Sequence, residues 1–248
     1  MGSLYVVSDV HGHRDDLVSG LRSASLLDEE ERWSGDDDQL WILGDLTDRG
    51  PDGIGVVDLV RSLQEQAPGQ VHVLMGNHEA LMLGRKRFPS ARFLDSWALN
   101  GGSSRDQGLL TEEHLQWLAE LPLVGRVGDF LLLHSDTTAY LEWGDSVDEI
   151  NGRVREELAD GDEETHWQLW ARLTSRYHFA RRGGEDAARR MLDTLGGECI
   201  VHGHSIIGSL TGEPSALVDS PILYADGMAL AIDGGRYDGG PLLVVRLD

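Results

Sequence analysis

The chain has 248 residues, with 21 lysine and arginine residues against 43 aspartate and glutamate residues, and its formal net charge is −22. A field of that sign repels nucleic acid and anionic membrane surfaces, because both are bound largely through lysine and arginine; neither is an expected partner. The one cysteine, Cys199, excludes an internal disulfide and a zinc site made of four thiolates. No stretch approaches the roughly 20 apolar residues of a membrane-spanning helix. The N-terminus lacks the pattern of a secretory signal, so a cytoplasmic protein is expected.

Short apolar runs that end in polar or glycine-rich residues predict buried β-strands. In chain order they cover residues 4–9, 39–45, 71–77, 129–135, 198–204, 229–235 and 241–247. Helical patterns at 14–27 and 55–66 separate the first three runs, because leucine and valine repeat there on one face. Thr111 begins a further helix, since acidic residues follow it at the positive end of the helix dipole, and Pro122 ends that helix.

This order of elements predicts an α/β fold in which two mixed β-sheets form a sandwich flanked by helices. Residues 140–197 differ from the rest of the chain, because they are acidic, contain tryptophan and have a mostly helical pattern. We interpret them as a helical cap or insertion within a single domain that covers residues 1–248.

Polar side chains of related chemistry follow the apolar runs, where each predicted strand ends. In chain order they are Asp9, His11, Asp45, Asp48, Arg49, Asn77, His78, Glu79, His134, His202 and His204. Asp-x-His alone is more often a turn, and a strand-end histidine alone is more often a hydrogen-bonded core or rim residue, whereas "GNHE" is more specific. Carboxylates, imidazoles and amide oxygens are ligands for ions such as Mn²⁺, Fe²⁺ and Zn²⁺, and strand ends are where α/β folds gather active-site groups. The joint pattern therefore predicts one shared metal site.

These residues lie in motifs that resemble those of a known family. In order, the motifs are "SDVHG" (8–12), "GDLTDRGP" (44–51), "GNHE" (76–79), the strand-terminal His134 and "HGHS" (202–205). Together they resemble the signature of calcineurin-like metallophosphoesterases. The pair "GDxxDRG" and "GNHE" is similar to the phosphoprotein phosphatase branch, which includes serine/threonine protein phosphatases, phage-type protein phosphatases and symmetrical diadenosine tetraphosphatases. The segments at 97–102 and 231–242 also resemble bacterial members, and the likeness is weakest in 140–197.

The resemblance implies a centre of two divalent ions, with Asp45 as the ligand that bridges them. The remaining ligands implied are Asp9 and His11 for the first ion, and Asn77, His134 and His204 for the second. Mn²⁺ is the ion expected, with iron or zinc as alternatives. A hydroxide bridging the two ions would attack phosphorus in line, so no nucleophilic serine or cysteine is required.

The same resemblance implies roles for residues that handle the phosphate group. The planar guanidinium of Arg49 matches two phosphate oxygens, and Arg172 is the candidate for a second phosphate-binding arginine. His78 would donate a proton to the leaving oxygen, and Asp48 would hold its imidazole in place. Asn77 is also expected to contact the substrate.

The residues after His134 depart from the family pattern. Family members usually have glycine or alanine and then glycine there, whereas this chain has Ser135 and Asp136, which add bulk and charge beside the second ion. His202 is expected to be a core residue or a neighbour of the ligands, with a metal-binding role as the alternative.

The function expected is hydrolysis of phosphoproteins, on serine, threonine and more broadly, or of small phosphomonoesters. Hydrolysis of dinucleoside polyphosphates such as diadenosine tetraphosphate is the alternative, and residues 140–197 would decide it by forming either an adenine pocket or an open groove. Three aromatic residues of this region could contact a base: Trp167, Trp170 and Tyr177. The alternative for the two tryptophans is that they pack under the cap. An inactive metal-binding scaffold that works through protein contacts is disfavoured, because no catalytic residue is missing from the set.

Overall fold

A computed structural model describes residues 2–247 of the chain. Its strands are β1 (Leu4–Val7), β2 (Gln39–Ile42), β3 (Val71–Val73), β4 (Val124–Val127), β5 (Phe130–Leu133), β6 (Cys199–His202), β7 (Ile222–Tyr224), β8 (Ala229–Ala231) and β9 (Val244–Leu247). They form one sheet in the order β3-β2-β1-β9 and another in the order β4-β5-β6-β8-β7. The predicted α/β fold with two mixed sheets is confirmed.

Parallel strands form the central part of both sheets. In the first sheet β1 pairs in parallel with β2, and β2 with β3. In the second sheet β6 pairs in parallel with both β5 and β8, while β4, β7 and β9 pair antiparallel with their neighbours. Because the carboxyl ends of parallel strands lie at the same edge of a sheet, the turns that follow β1, β2 and β3 are brought together, as are those that follow β5 and β6.

Sequence signals account for several helix boundaries. The helices are α1 (Arg14–Ser23), α2 (Gly53–Gln66), α3 (Asn77–Arg87), α4 (Ala91–Leu99), α5 (Ser104–Leu109), α6 (Glu112–Ala119), α7 (Val147–Asp160), α8 (Glu163–Thr174), α9 (Gly184–Leu195) and α10 (Ile207–Thr211). Asp52 caps α2 by accepting a hydrogen bond from the Gly55 amide at 3.3 Å. Thr111 caps α6, as predicted, and that helix ends at Ala119, before Pro122.

Apolar side chains from both sheets pack together in the core. Val6 of β1, Leu132 of β5 and Val201 of β6 belong to one buried cluster. Trp41 of β2 lies against Gly125 of β4, where a Cβ atom would come within 2.2 Å of the indole ring. Leucine and valine side chains of α1 and α2 form a second cluster with the alternate residues of the strands. The two faces of the first sheet therefore pack against the second sheet and against helices.

Residues 140–197 include α7, α8 and α9. Two tryptophans of α8 pack against other aromatic rings: the Trp167 ring centroid lies 5.4 Å from that of Phe93 in α4, and the Trp170 centroid lies 4.6 Å from that of Trp167. The interpretation of this region as a cap within one domain stays a prediction. Among the helices of residues 2–247, none is long and apolar enough to cross a bilayer.

Candidate metal centre

The predicted site residues lie in the turns that follow the parallel strands. Many of them have φ between +44° and +66°, a region that residues other than glycine seldom occupy. Those with such a backbone are Asp9, His11, Asp45, Asp48, Arg49 and His204. Each conformation of this kind costs on the order of 1–3 kcal/mol and persists only where the surrounding structure fixes it. The turns are therefore held in the shape that directs these side chains to one place.

A buried group of oxygen and nitrogen donors forms where these turns meet. One set of donor atoms that all lie within 4.8 Å of one another belongs to Asp9, Asp45, His134 and His204, and a second set belongs to His11, Asp45 and His78. His11 places its Nε2 atom 3.5 Å from Asp45 Oδ2, and Asn77 places its Oδ1 atom 3.0 Å from His134 Nε2. The structure thus brings all of the predicted metal-ligating residues together.

Backbone carbonyls orient the imidazole rings of this group. His11 Nδ1 donates to the Thr47 carbonyl at 3.0 Å, and His134 Nδ1 donates to the Leu43 carbonyl at 2.8 Å. A carbonyl oxygen only accepts, so each Nδ1 carries the proton and each Nε2 presents a lone pair to the cluster. The Nε2 atom of His204 lies 3.1 Å from the Thr174 carbonyl and 2.9 Å from Arg176 Nη2, so Nδ1 is the ring nitrogen left to bind a metal.

The electrostatics of this group fit divalent cations. Burial, and then the charge of Asp9, raise the pKa of Asp45 well above its ordinary value, and the same causes raise the pKa of Asp233. Burial also lowers the pKa values of His11 and His204 well below the ordinary value, so both rings are neutral. Clustered carboxylates and neutral imidazoles leave negative charge uncompensated, and this nitrogen and oxygen donor set suits Mn²⁺, Fe²⁺ or Zn²⁺.

A second constellation, next to the donor cluster, joins His78 to Asp48 and Arg49. His78 lies in the first turn of α3, where its amide donates to Asp45 Oδ1 at 2.9 Å and its Nδ1 atom lies 2.8 Å from Asp48 Oδ2. Its Nε2 atom is 3.4 Å from Arg49 Nη2. Burial raises the pKa of Asp48 to about 6, whereas burial and Arg49 lower the pKa of His78 well below its ordinary value. His78 is therefore a neutral imidazole whose Nδ1 atom is fixed by Asp48 and whose Nε2 atom faces Arg49.

The structure gives Arg172 and Arg176 different neighbours, and the role of Arg172 in binding phosphate stays a prediction. Arg172 Nε donates to Glu142 Oε2 at 2.9 Å, and its guanidinium lies 5.0 Å from the centroid of the Trp143 ring, so its charge is paired with a carboxylate. Arg176 instead places Nη2 2.9 Å from His204 Nε2. No motif marked Arg176 in the sequence, because it follows the end of α8 in a turn that periodicity does not predict.

Other residues of the site were not assigned a role from the sequence. The Glu79 carboxylate accepts hydrogen bonds from the Asp45 and Gly76 amides at 2.8 and 2.9 Å, and it therefore ties the second and third motifs together. The Tyr237 ring lies 3.8 Å from the Arg49 guanidinium. Asp233 is buried, and its Oδ2 atom has no hydrogen-bond partner among the described residues. Asp233 and Tyr237 lie within the 231–242 segment, whose resemblance to bacterial family members was the sequence signal that could have indicated a role for them.

His202 lies outside the cluster of donors. Its Nδ1 atom is 2.9 Å from the Gly203 carbonyl and its Nε2 atom is 2.7 Å from the Tyr224 hydroxyl. Both ring nitrogens are thus engaged by the protein, as expected for a core residue.

Comparison with protein families places this geometry in context. The family model described as calcineurin-like phosphoesterase matches residues 2–208. The chain belongs to that family. The match covers every residue of the donor cluster, as well as Asp48, Arg49, His78 and Arg176. The family resemblance seen in the motifs is thereby confirmed.

Relatives of this calcineurin-like phosphoesterase carry two kinds of name. A symmetrical bis(5'-nucleosyl)-tetraphosphatase of Vibrio campbellii is 31% identical over 132 residues, which are 53% of this chain and 43% of that protein. Shewanella-like protein phosphatase 1 of Plasmodium berghei is 27% identical over 160 residues, 62% of this chain and 44% of that protein. The aligned region thus spans less than half of either relative. A solved structure of a cold-active protein tyrosine phosphatase has the same fold, with a TM-score of 0.77 at 22% identity over 100% of this chain and 74% of that one.

Proposed function

We propose that this chain is a hydrolase of phosphate esters that uses two divalent cations and acts on phosphoproteins or small phosphomonoesters. The observation that carries the proposal is the buried convergence of donors from five separate motifs, with two arginines and the His78–Asp48 pair at its border. One cation would be held by Asp9, His11 and Asp45. The residues that would hold the other are Asp45, Asn77, His134 and His204. Bound cations of this kind polarise phosphoryl oxygens and make water a stronger nucleophile near neutral pH.

The protein's own side chains would bind the phosphate and move the proton. Arg49 and Arg176 would each donate to phosphate oxygens, and Tyr237 supports the Arg49 guanidinium through its ring face. His78 Nε2 would donate a proton to the leaving oxygen, while Asp48 accepts from His78 Nδ1 and stabilises the charged ring. Since burial favours the neutral ring, the Asp48 carboxylate is the group that would make the protonated form accessible.

Mn²⁺ is the cation that we propose, with iron or zinc as alternatives, and the cytoplasm is the proposed compartment. The donor set supports this choice of metals, because it holds no thiolate and combines imidazole with carboxylate and amide oxygen. The proposed substrates are compact phosphate groups and not nucleic acids, since the net charge of −22 opposes a long polyanion.

Hydrolysis of dinucleoside polyphosphates is the second candidate, because several relatives are named symmetrical bis(5'-nucleosyl)-tetraphosphatase. The packing of α8 supports the phosphomonoesterase instead. Trp167 and Trp170, the candidates for stacking on adenine, pack beside Phe93, and the Trp167 ring also carries the Arg92 guanidinium at 4.6 Å. Tyr177, the third candidate for contact with a base, has its ring centroid 6.0 Å from the Arg176 guanidinium.

The test is an activity panel with Mn²⁺-loaded protein. Phosphoserine, phosphothreonine and phosphotyrosine peptides, p-nitrophenyl phosphate and diadenosine tetraphosphate are compared by kcat/KM. We expect the phosphomonoesters to be the better substrates; a higher kcat/KM for diadenosine tetraphosphate would transfer the assignment to the second candidate. No turnover of any substrate with Mn²⁺, Fe²⁺, Co²⁺, Ni²⁺ or Zn²⁺ would favour the inactive scaffold.

A further inference from the structure

Asp136 stands where the family pattern has glycine, and the structure shows what its side chain does. The residue follows His134 in the turn after β5 and is fully buried. Its Oδ1 atom accepts a hydrogen bond from Ser205 Oγ at 2.6 Å, and its Oδ2 atom accepts one from the Tyr177 amide at 2.7 Å. One carboxylate thus joins two segments that are distant in the sequence.

The segment on the Oδ2 side is the turn that carries Arg176. Tyr177 has φ of +67°, a conformation that is strained for a bulky residue and must be fixed by its surroundings. The Asp136 carboxylate fixes it through the Tyr177 amide, and the Asp136 carbonyl accepts a further bond from the His178 amide at 2.9 Å. The Thr138 amide donates to His178 Nδ1 at 3.1 Å, so the same turn is held at a third point.

The segment on the Oδ1 side is the rigid turn after β6. Ser205 is fully buried and follows His204, whose amide donates to Asp9 Oδ2 at 2.8 Å. The Asp136 carboxylate is therefore anchored to the donor cluster itself. A glycine at this position would keep the carbonyl that accepts from the His178 amide, but it would offer no side-chain acceptor to either segment.

We propose that Asp136 is a positioning residue, which holds the turn at Tyr177 so that Arg176 reaches the phosphate-binding position beside His204. This inference rests on the proposed phosphoesterase function for its kinetic consequence, but not for its structural one. Without the carboxylate, Tyr177 leaves the left-handed conformation and Arg176 no longer points at His204.

The kinetic test compares Asp136→Ala, Arg176→Ala and the double variant on p-nitrophenyl phosphate. Asp136→Ala should raise KM roughly tenfold or more, because a charged hydrogen-bonding partner of the phosphate is displaced. In the Arg176→Ala background the same change should add less than about twofold, because two residues that act through one contact are not additive. Asp136→Asn should stay within about threefold of the wild type, since an amide oxygen can accept from Tyr177 while its NH₂ group donates to Ser205 Oγ.

The structural test needs no activity. Hydrogen–deuterium exchange in EDTA should show lost protection of the Tyr177 amide in Asp136→Ala and retained protection in Asp136→Asn. Asn151→Ala is the matched control, because Asn151 also accepts from two backbone amides, those of Leu123 and Val124, far along the chain at β4; it should change neither KM nor the exchange of Tyr177. Should Asp136→Ala not fold, Ser205→Ala removes one anchor of the carboxylate and is expected to give a smaller effect in the same direction.

Each result bears on a different statement. Full protection of the Tyr177 amide in a folded Asp136→Ala protein, or an equal KM increase with and without Arg176, would overturn the positioning role. An inactive wild-type protein would overturn the proposed function, while the exchange of the Tyr177 amide would still decide the role of Asp136.

Discussion

Asp45 and Asp48 stand in one turn, yet the structure gives their carboxylates different neighbours. Asp45 accepts from the His78 amide and faces the other donors, whereas Asp48 accepts from the Ser103 amide at 2.8 Å and faces the His78 ring. The left-handed backbone at both positions separates the two side chains. The motif in the sequence was sufficient to propose both roles, because each aspartate is identified by its place in the motif.

Removal of the His78 imidazole tests its role in proton transfer. His78→Ala should slow hydrolysis of alkyl phosphates by about 10²–10⁴-fold, the usual contribution of a general acid, and aryl phosphates far less, since their leaving groups need little protonation. Steady-state rates on both ester types make the comparison. His114→Ala is the matched control, because His114 also pairs with an aspartate, Asp58, at 2.9 Å; its rates should equal the wild type. Equal losses on alkyl and aryl esters would assign His78 another role.

The two candidate arginines are distinguished by their contacts. Arg176→Ala should raise KM for phosphomonoesters roughly tenfold or more, through the loss of a charged hydrogen bond to phosphate. Arg172→Ala should leave KM unchanged and cost at most about 1 kcal/mol of stability, as expected for a partly exposed ion pair with Glu142. Michaelis–Menten analysis of both variants distinguishes the two arginines, and a larger KM effect for Arg172→Ala would identify Arg172 as the second phosphate-binding arginine.

At the scale of secondary structure elements, the sequence predicted the strands that carry the site and missed two others. The strands at 39–45 and 198–204 were found because they are continuous apolar runs, although each observed strand ends before the polar residues that follow it. β4 was missed because "VGRV" contains glycine and arginine, and β7 because it has only three residues. Both are edge strands that pair antiparallel with a neighbour, so their apolar signal is weak. The position of Arg176 depends on a turn fixed by distant residues, which no local pattern encodes.

The contact between α8 and the end of α3 leads to a prediction about acid stability. Burial, and then the charge of Arg87, lower the pKa of His166 in α8, and its ring packs edge-on against Phe88 at a centroid distance of 5.1 Å. The unfolded chain therefore binds this proton more readily, so the free energy of unfolding should fall as the pH drops below about 6.5. His166→Leu should lessen that fall. Urea unfolding of both proteins between pH 7.5 and 5 measures this fall in the free energy of unfolding. An equal fall in the wild type and the variant would contradict the prediction.

Across the whole molecule, 43 acidic residues outnumber 21 basic ones, yet Arg49 and Arg176 both lie at the donor cluster. We expect the negative charge of the protein to oppose the binding of extended polyanions, and we propose that the two arginines bind a single phosphate group. Clustered carboxylates also repel one another in the metal-free protein, so the cluster lowers stability until cations bind. We therefore expect the stability of the protein to depend on bound cations.

Asp45→Asn should separate the repulsion between buried carboxylates from the stabilisation that bound cations provide. In EDTA the variant should unfold at a higher temperature than the wild type, because it removes a carboxylate whose charged form is disfavoured by burial and by the charge of Asp9. Mn²⁺ at about 100 times its dissociation constant should stabilise the wild type by roughly 2.7 kcal/mol, and the variant by much less. Calorimetry with and without Mn²⁺ measures both shifts. Asp58→Asn, on α2, is the control and should respond to Mn²⁺ as the wild type does; an equal response of Asp45→Asn would remove Asp45 from the ligand set.

The most direct measurement is anomalous diffraction from crystals soaked in Mn²⁺. The account predicts two neighbouring peaks, one in contact with Asp9, His11 and Asp45. The second peak should contact Asp45, Asn77, His134 and His204. A single peak, peaks elsewhere in the molecule, or no peak among these side chains would contradict a two-cation centre.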